Sequence, residues 1–147
     1  MAGKILLEVI TPDRLVLREE VDMVVATAAV EGEFGVLPGH APFLCLLDIG
    51  PGRFKKDGKI EHMSIVGGIC EVFENKVTIL TEAAELAREI DVERAMRARE
   101  RALKRLRQRE NIDIARAEAA LRRAMTRLKV AQQSGILESV PPASISE

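Results

Sequence analysis

Tryptophan and tyrosine are missing from this sequence, and its four aromatic side chains, Phe34, Phe43, Phe54 and Phe73, all fall in the first half. The second half must therefore pack with aliphatic chains and alanine, and it offers no aromatic surface on which a nucleic-acid base could stack. Glycine and proline vanish as abruptly: neither occurs from Ile69 to Ser134 once Gly68 is passed, while nine of ten glycines and four of six prolines precede residue 69. So long a stretch without turn residues excludes a series of short strands there and favours helices. Only two cysteines are present, Cys45 and Cys70, in apolar segments and in neither C-x-x-C nor metal-ligand spacing. That pattern excludes a disulfide framework and reads as two buried free thiols. No apolar run reaches the ~18 residues of a membrane span. The opening Met1-Ala2-Gly3-Lys4-Ile5 has neither an apolar signal core nor an Arg/Ser-rich presequence, so the chain is expected to stay in the cytoplasm where it is made.

A large net charge is missing too, since 22 Lys plus Arg against 23 Asp plus Glu leaves only −1. That balance is a sum of opposites. Residues 1–86 carry 8 basic and 14 acidic groups, net −6, and residues 87–147 carry 14 basic and 9 acidic ones, net +5. The two halves are different materials.

The front half reads as short strands between turn signals: residues 4–10, 15–18, 21–29, a Gly/Pro loop over 31–42, 43–49, a turn at Gly50-Pro51-Gly52, 53–55, 59–66, 69–74 and 76–81. Asp57-Gly58 and Glu74-Asn75 stand where hairpin turns are needed, and the pair Gly67-Gly68 reads as a bulge or a close backbone approach. This spacing predicts an antiparallel β-sandwich or flattened barrel. In the last strand Val77 and Ile79 face one side, Thr78 and Leu80 the other, so the outer face is also partly apolar and is expected to be covered.

The rear half reads as two helices. Asp91 and Asp113 each precede an apolar-periodic stretch and can accept the unpaired N–H groups of a first helical turn. Val92, Ala95/Met96, Ala102/Leu103 and Leu106 form one stripe, interrupted at Arg99; Ile114, Ala117, Leu121, Ala124/Met125, Leu128 and Ala131 form another. The link between them is short, which predicts an antiparallel α-helical hairpin. Its seams are narrow and rich in alanine, so it should be stable only when docked, as a unit able to move. The domains are thus a sandwich at 1–86, a hairpin at 87–133 and a Ser/Pro-rich flexible tail at 134–147.

Catalytic patterns are absent: there is no phosphate-binding G-x-x-x-x-G-K-S/T, no H-E-x-x-H and no G-x-S-x-G, and His40 and His62 lack partners at metal-ligand spacing. A non-catalytic chain is expected. What stands out is arginine, with twelve Arg and two Lys between residues 88 and 129. Arg94, Arg97, Arg101 and Arg105 share one helical face, and Arg116, Arg123 and Arg127 another. Three readings remain: a solvated face with partners such as Glu93 for Arg97, guanidinium forks converging on phosphates or carboxylates, and a nucleic-acid surface, which the acidic front half and the missing aromatics disfavour.

Several motifs carry a further likeness. The segment Glu31-Gly32-Glu33-Phe34-Gly35-Val36-Leu37-Pro38-Gly39-His40-Ala41-Pro42 resembles the signature loop of the epsilon subunit of bacterial and chloroplast F-type ATP synthases. Gly67-Gly68-Ile69-Cys70-Glu71-Val72 resembles that family's G-G-x-x-E-V, and Val77-Thr78-Ile79-Leu80 its closing strand. Ile90-Asp91-Val92-Glu93-Arg94-Ala95 resembles its I/L-D-x-x-R-A motif, and the run from Arg116-Ala117-Glu118 to Arg127-Leu128 its second helix. The match extends from about residue 4 to 133 in one register.

The resemblance implies a part of the central rotor stalk, on the cytoplasmic face of the bacterial plasma membrane and attached to it only through the complex. Its implied partners are the gamma subunit, the c-ring and the alpha and beta subunits, with no nucleic acid. The sandwich would bind gamma and the c-ring, with Glu33 and His40 near the polar loops of the ring. The hairpin would lie folded on the sandwich or extend along gamma, blocking ATP hydrolysis. No cofactor is required, but a regulatory ATP on the folded hairpin is implied, with Glu85, Ile90, Asp91, Arg94, Ala95, Arg123 and Arg127 as candidates. Asp91 can serve as helix cap and as ligand. A free-standing nucleotide-binding regulatory protein is the alternative.

Overall fold

The computed structural model describes residues 3–108 and 110–143. The end of the expected tail, residues 144–147, lies outside the described residues. The strands are β1 Ile5–Ile10, β2 Leu15–Val21, β3 Met23–Ala28, β4 Gly32–Val36, β5 Phe43–Lys56, β6 Lys59–Phe73, β7 Lys76–Leu80 and β8 Ala84–Leu86. A single 3-10 turn, Ala87–Glu89, leads into α1 Val92–Gln108 and α2 Ile114–Gln133. The predicted order, sandwich first and helical hairpin second, is the one observed.

The sheet runs β2-β1-β7-β6-β5-β3-β4, with β8 added to β6. Both expected hairpin turns form. Asp57 and Gly58 (φ 50° and 81°) and Glu74 and Asn75 (φ 47° and 59°) occupy the left-handed region, which a two-residue turn requires if its twist is to match the flanking strands. One pairing departs from the expected antiparallel pattern: β1 and β7 run parallel. The long stretch of sheet between them supplies the crossover that a parallel pair needs.

Three local readings are corrected and one strand, β8, is added. Gly50-Pro51-Gly52 is no turn, because β5 passes straight through it. Pro51 falls where the β3–β5 ladder shifts register, between the rungs at Val25 and Ala28, so its missing N–H leaves no ladder bond unmade. A Cβ on Gly52 would lie 2.7 Å from Ile65 Cδ1, so this glycine makes room for the core. Residues 59–66 and 69–74 are one strand, β6, which bends at Gly67-Gly68 instead of ending. A Cβ on Gly68 would sit 2.0 Å from the carbonyl oxygen of Leu80 at φ +104°, a close backbone approach open only to glycine. The 31–42 loop contains β4, paired with β3 from Val24–Val36 to Ala28–Gly32; its glycines masked the alternation of Phe34 and Val36 toward the core. Strand β8, three residues long, carried too little periodicity to be read.

The ladder between β5 and β6 skips Asp48 and Gly67, where both long strands bend. Their halves thereby join different layers, β6 pairing with β8 at one end and β7 at the other. Between the layers Ile5, Leu7, Val9, Val24, Phe54, Met63, Val77 and Ile79 are completely buried. Cys45 and Cys70 are free, buried and directly opposite each other on β5 and β6. Burial and the neighbouring Cys45 push the Cys70 thiol up to about 12, so it is protonated and inert.

Both predicted caps form: Asp91 Oδ1 accepts from the Arg94 N–H and Asp113 Oδ1 from the Arg116 N–H, each at 3.1 Å. The hairpin buries Ala95 and Ala102 of α1 and Ala117, Ala124, Leu128 and Ala131 of α2. Ile114 and Met125, expected in the α2 stripe, are exposed, whereas Thr126 and Val130 are buried. The reason is that α2 has two partners, α1 on one side and β5 and β6 on the other. Arg99, which interrupted the α1 stripe, is itself buried.

Candidate functional site

Two surfaces of the sandwich carry the functional geometry. Strand alternation and register put Ile49, Pro51 and Arg53 of β5, His62, Ser64 and Val66 of β6 and Glu85 of β8 on one face. They point away from the core residues Met63 and Ile65, yet Ser64 and Val66 are buried. What covers them is α2.

The attachment is made of a few local contacts. Arg127 Nε donates to Glu85 Oε1 at 2.5 Å, and Arg122 pairs with Asp48 at the bend of β5. Val130 packs with Ala87 and Ile90, with Val92 beside them. Arg88–Glu61 at 2.8 Å and Arg14–Glu89 at 3.1 Å pin the connecting turn. Half-exposed ion pairs of this kind are worth roughly 0–1 kcal/mol each, so the hairpin is held by a small apolar contact and several weak latches.

A cleft of about 360 Å³ opens where the connecting turn meets the end of α2, lined by Ile60, His62, Leu86, Arg88, Gln133 and Ile136 among others. His62 Nδ1 is buried there without a hydrogen-bond partner among the described residues. Burial, helped by the Arg53 charge opposite, lowers the His62 pKa from its ordinary value, so this environment opposes charging of the ring.

Of the implied nucleotide residues, the structure joins Glu85 to Arg127 and, by the helix cap, Asp91 to Arg94. Ile90 and Ala95 are buried, Asp91 and Arg94 exposed, and Arg123 half-buried. Arg127 already has a carboxylate partner, so a phosphate would have to replace Glu85 there. Among the described residues no hydrogen bond or ion pair joins Arg94 or Arg123 to the Glu85–Arg127 pair; Arg94 is held only at its N–H by the Asp91 cap. Arg97, Arg101, Arg105 and Arg116 are also exposed.

Glu33 lies on β4, not in a loop, and takes an ion pair from Arg53 at 3.4 Å. His40 follows in a turn, its Nδ1 2.6 Å from the Ala41 carbonyl and its ring edge-on to Phe43. The Asn75 side chain anchors this loop by accepting the Gly39 N–H at 2.7 Å. Sequence reasoning missed Arg122 and Asp48, which nothing local distinguishes. It passed over Arg99 as a break in a stripe, although a charge at a core position signals a required partner.

The second surface is the opposite end of the sheet. Leu46, Ile69 and Leu80 form one cross-strand row over β5, β6 and β7, flanked by Leu44 and Phe73. Leu44 is 66% exposed, Leu46 65% and Phe73 52%. Interrupted on this face by the Glu71–Thr78 rung, an exposed apolar patch of this kind marks a contact surface. Among the described residues no group of His, Cys, Asp and Glu is placed to hold a metal, and no helix is long and apolar enough to cross a membrane.

A sandwich that carries a helical hairpin on one face and an apolar row on another is a docking subunit in its architecture. Residues 4–87 match the family model described as the beta-sandwich domain of the ATP synthase Delta/Epsilon chain, and residues 88–132 match its long alpha-helix domain. The chain is 56% identical over 109 residues to the ATP synthase epsilon chain of Carboxydothermus hydrogenoformans, covering 74% of this chain and 81% of that one. It is 54% identical over 102 residues to that of Nitratidesulfovibrio vulgaris, covering 69% and 75%. A chain in the mitochondrial ATP synthase of Euglena gracilis, solved as OSCP/F1/c-ring, superposes with TM-score 0.73 at 26% identity over 93% of this chain and 84% of that one. A chain of the Tetrahymena thermophila mitochondrial ATP synthase central stalk and c-ring shares the fold at TM-score 0.57 and 15% identity, over 88% and 98%. The chain belongs to the ATP synthase delta/epsilon chain family.

Proposed function

We propose that this chain is the epsilon subunit of the central rotor stalk of a bacterial F-type ATP synthase, without catalytic residues of its own. The apolar row Leu44, Leu46, Ile69, Phe73 and Leu80 suits attachment to gamma, since a rotor part must be fixed to its shaft. Glu33, His40 and their loop are the positions assigned to the polar loops of the c-ring. Membrane association comes only through the complex, at the cytoplasmic face.

The hairpin is a brake on ATP hydrolysis. The observation that carries this is its attachment through a small apolar cluster around Val130 and two ion pairs, an exposed one from Arg122 and a half-buried one from Arg127. Released, the basic hairpin approaches acidic surfaces of alpha and beta, where arginine forks give orientation and register. Docked and extended forms are then two populations, and a ligand that prefers one shifts the balance. ATP is that ligand in this reading: its phosphates neutralise Arg94, Arg123 and Arg127, Arg127 exchanging Glu85 for phosphate, and the hairpin stays folded.

Deleting residues 88–147 should leave assembly intact and raise ATP hydrolysis by the reconstituted enzyme; unchanged hydrolysis removes the brake. Calorimetry of the isolated chain with ATP, beside an Arg123→Ala/Arg127→Ala variant, tests the nucleotide. Absence of heat at millimolar ATP removes that part alone.

A further inference from the structure

The stretch just beyond α2 is not free of the fold. The family match ends at residue 132, and the segment that follows is tied back to it. Ser134 Oγ donates to the Val130 carbonyl at 2.8 Å. Gly135 turns the chain at φ 77°, and the N–H groups of Ile136 and Leu137 donate to the Ala131 carbonyl at 2.9 and 3.1 Å. Ile136 then lines the cleft at the connecting turn together with Ile60 and Arg88. Four residues after Leu137, the Pro141 carbonyl accepts a hydrogen bond from Arg99 Nη1 at 2.7 Å. The described part of the stretch expected as a flexible tail, residues 134–143, is thus anchored on α1, α2 and the hinge cleft.

Arg99 makes this anchoring consequential. It sits in the apolar stripe of α1 at 4% exposure, and a guanidinium cannot shed its charge. Burying such a group is costly unless it is hydrogen-bonded, yet among the described residues its Nε has no partner. Every hydrogen bond it does make therefore matters, and the Pro141 carbonyl is the acceptor supplied by the terminal segment.

We infer that residues 134–143 form a clasp that closes over Arg99 and holds α1 against α2 in the docked hairpin. The clasp is set close to balance: the Pro141 bond and the Ile136 contact favour closure, while the incompletely satisfied guanidinium opposes it. A strap of this composition can open without unfolding either helix. The hairpin then separates more readily, so the terminal segment sets how easily the brake is released. That consequence rests on the brake reading; the clasp itself does not.

Amide exchange of the isolated chain tests it. In a chain ending at Ser139, which keeps the Ile136 and Leu137 bonds to the Ala131 carbonyl and loses Pro141, the α1 amides should exchange about tenfold faster or more, the loss expected for a hydrogen bond to a buried charge; a chain ending at Gly135, which gives up those two bonds as well, should exchange at least as fast. A chain ending at Ala143 should exchange as the full chain does. Arg99→Ala should accelerate α1 exchange in the full chain and add little in the chain ending at Ser139. Unchanged α1 exchange in the Ser139 chain, fast exchange already in the Ala143 chain, or an Arg99→Ala effect of equal size in both backgrounds would each overturn the clasp. ATP hydrolysis by the enzyme reconstituted with the Ser139 chain reports separately on the brake. Faster exchange with unaltered hydrolysis keeps the clasp and discards its consequence.

Discussion

The sandwich and the hairpin are held together by different means. The sandwich encloses Phe54, Met63, Leu7 and Ile79 between two layers cross-linked by strand ladders. The hairpin buries Ala95, Ala102, Ala117, Ala124 and Ala131, with Leu128 and Val130 as its large contributions. Each buried methylene is worth about 0.8 kcal/mol, so an alanine seam yields little for the order it imposes. The sandwich has a core of its own, whereas the hairpin draws stability from what it leans on. Such a division suits the roles proposed above, an anchored sandwich and a releasable hairpin.

The contrast can be broken at several points. Phe54→Ala should cost about 3–5 kcal/mol and lower the urea midpoint of the whole chain, because the hairpin loses its platform with the core; a loss confined to one layer would refute a shared core. Leu128→Ala should cost about 2–3 kcal/mol but only in the hairpin, seen as faster exchange in α1 and α2 with sandwich amides unchanged. If sandwich amides accelerate equally, the two regions are one cooperative unit. Asp113→Ala removes the α2 cap and should cost about 1 kcal/mol, read as lower helical ellipticity on heating, with Asp113→Asn restoring most of it.

The smallest effect is one of pH. The docked state lowers the His62 pKa by burial first and by Arg53 second, so the undocked state binds more protons in the window between that lowered pKa and the ordinary value of about 6.5. Docking is then undiminished above that window and weakens as pH falls through it, levelling off below the lowered pKa. His62→Gln should flatten the pH dependence of hairpin exchange; a slope that survives the substitution assigns it to other groups.

Much of the fold was legible in the residues because its signals are local. Asp57-Gly58 and Glu74-Asn75 specify left-handed turns within two positions, Asp91 and Asp113 reach their N–H partners three residues on, and the change from period two to helical spacing marks the domain boundary. Two of the errors, the strand breaks placed at Gly50-Pro51-Gly52 and at Gly67-Gly68, share one cause. Both sites look like punctuation in a one-dimensional reading, but their lack of a Cβ or an N–H answers a neighbour on another strand: Ile65 for Gly52, the Leu80 carbonyl for Gly68. The candidate site was legible in part, as a cluster of arginines beside an I-D-x-x-R-A motif, because residue type and helical spacing are visible while partners are not.

The sequence by itself determined the division into an acidic, glycine-rich sandwich and a basic, alanine-seamed hairpin, since turn chemistry, capping and periodicity act over a few residues. Only the tertiary structure decided which arginines are engaged. Arg127 meets Glu85 and Arg99 meets Pro141 across 42 residues, and Arg122 meets Asp48 across 74. A guanidinium carries the same charge wherever it stands in the chain. Whether it latches a domain, closes a clasp or remains in solvent depends on which carboxylate or carbonyl the packed strands and helices bring within reach.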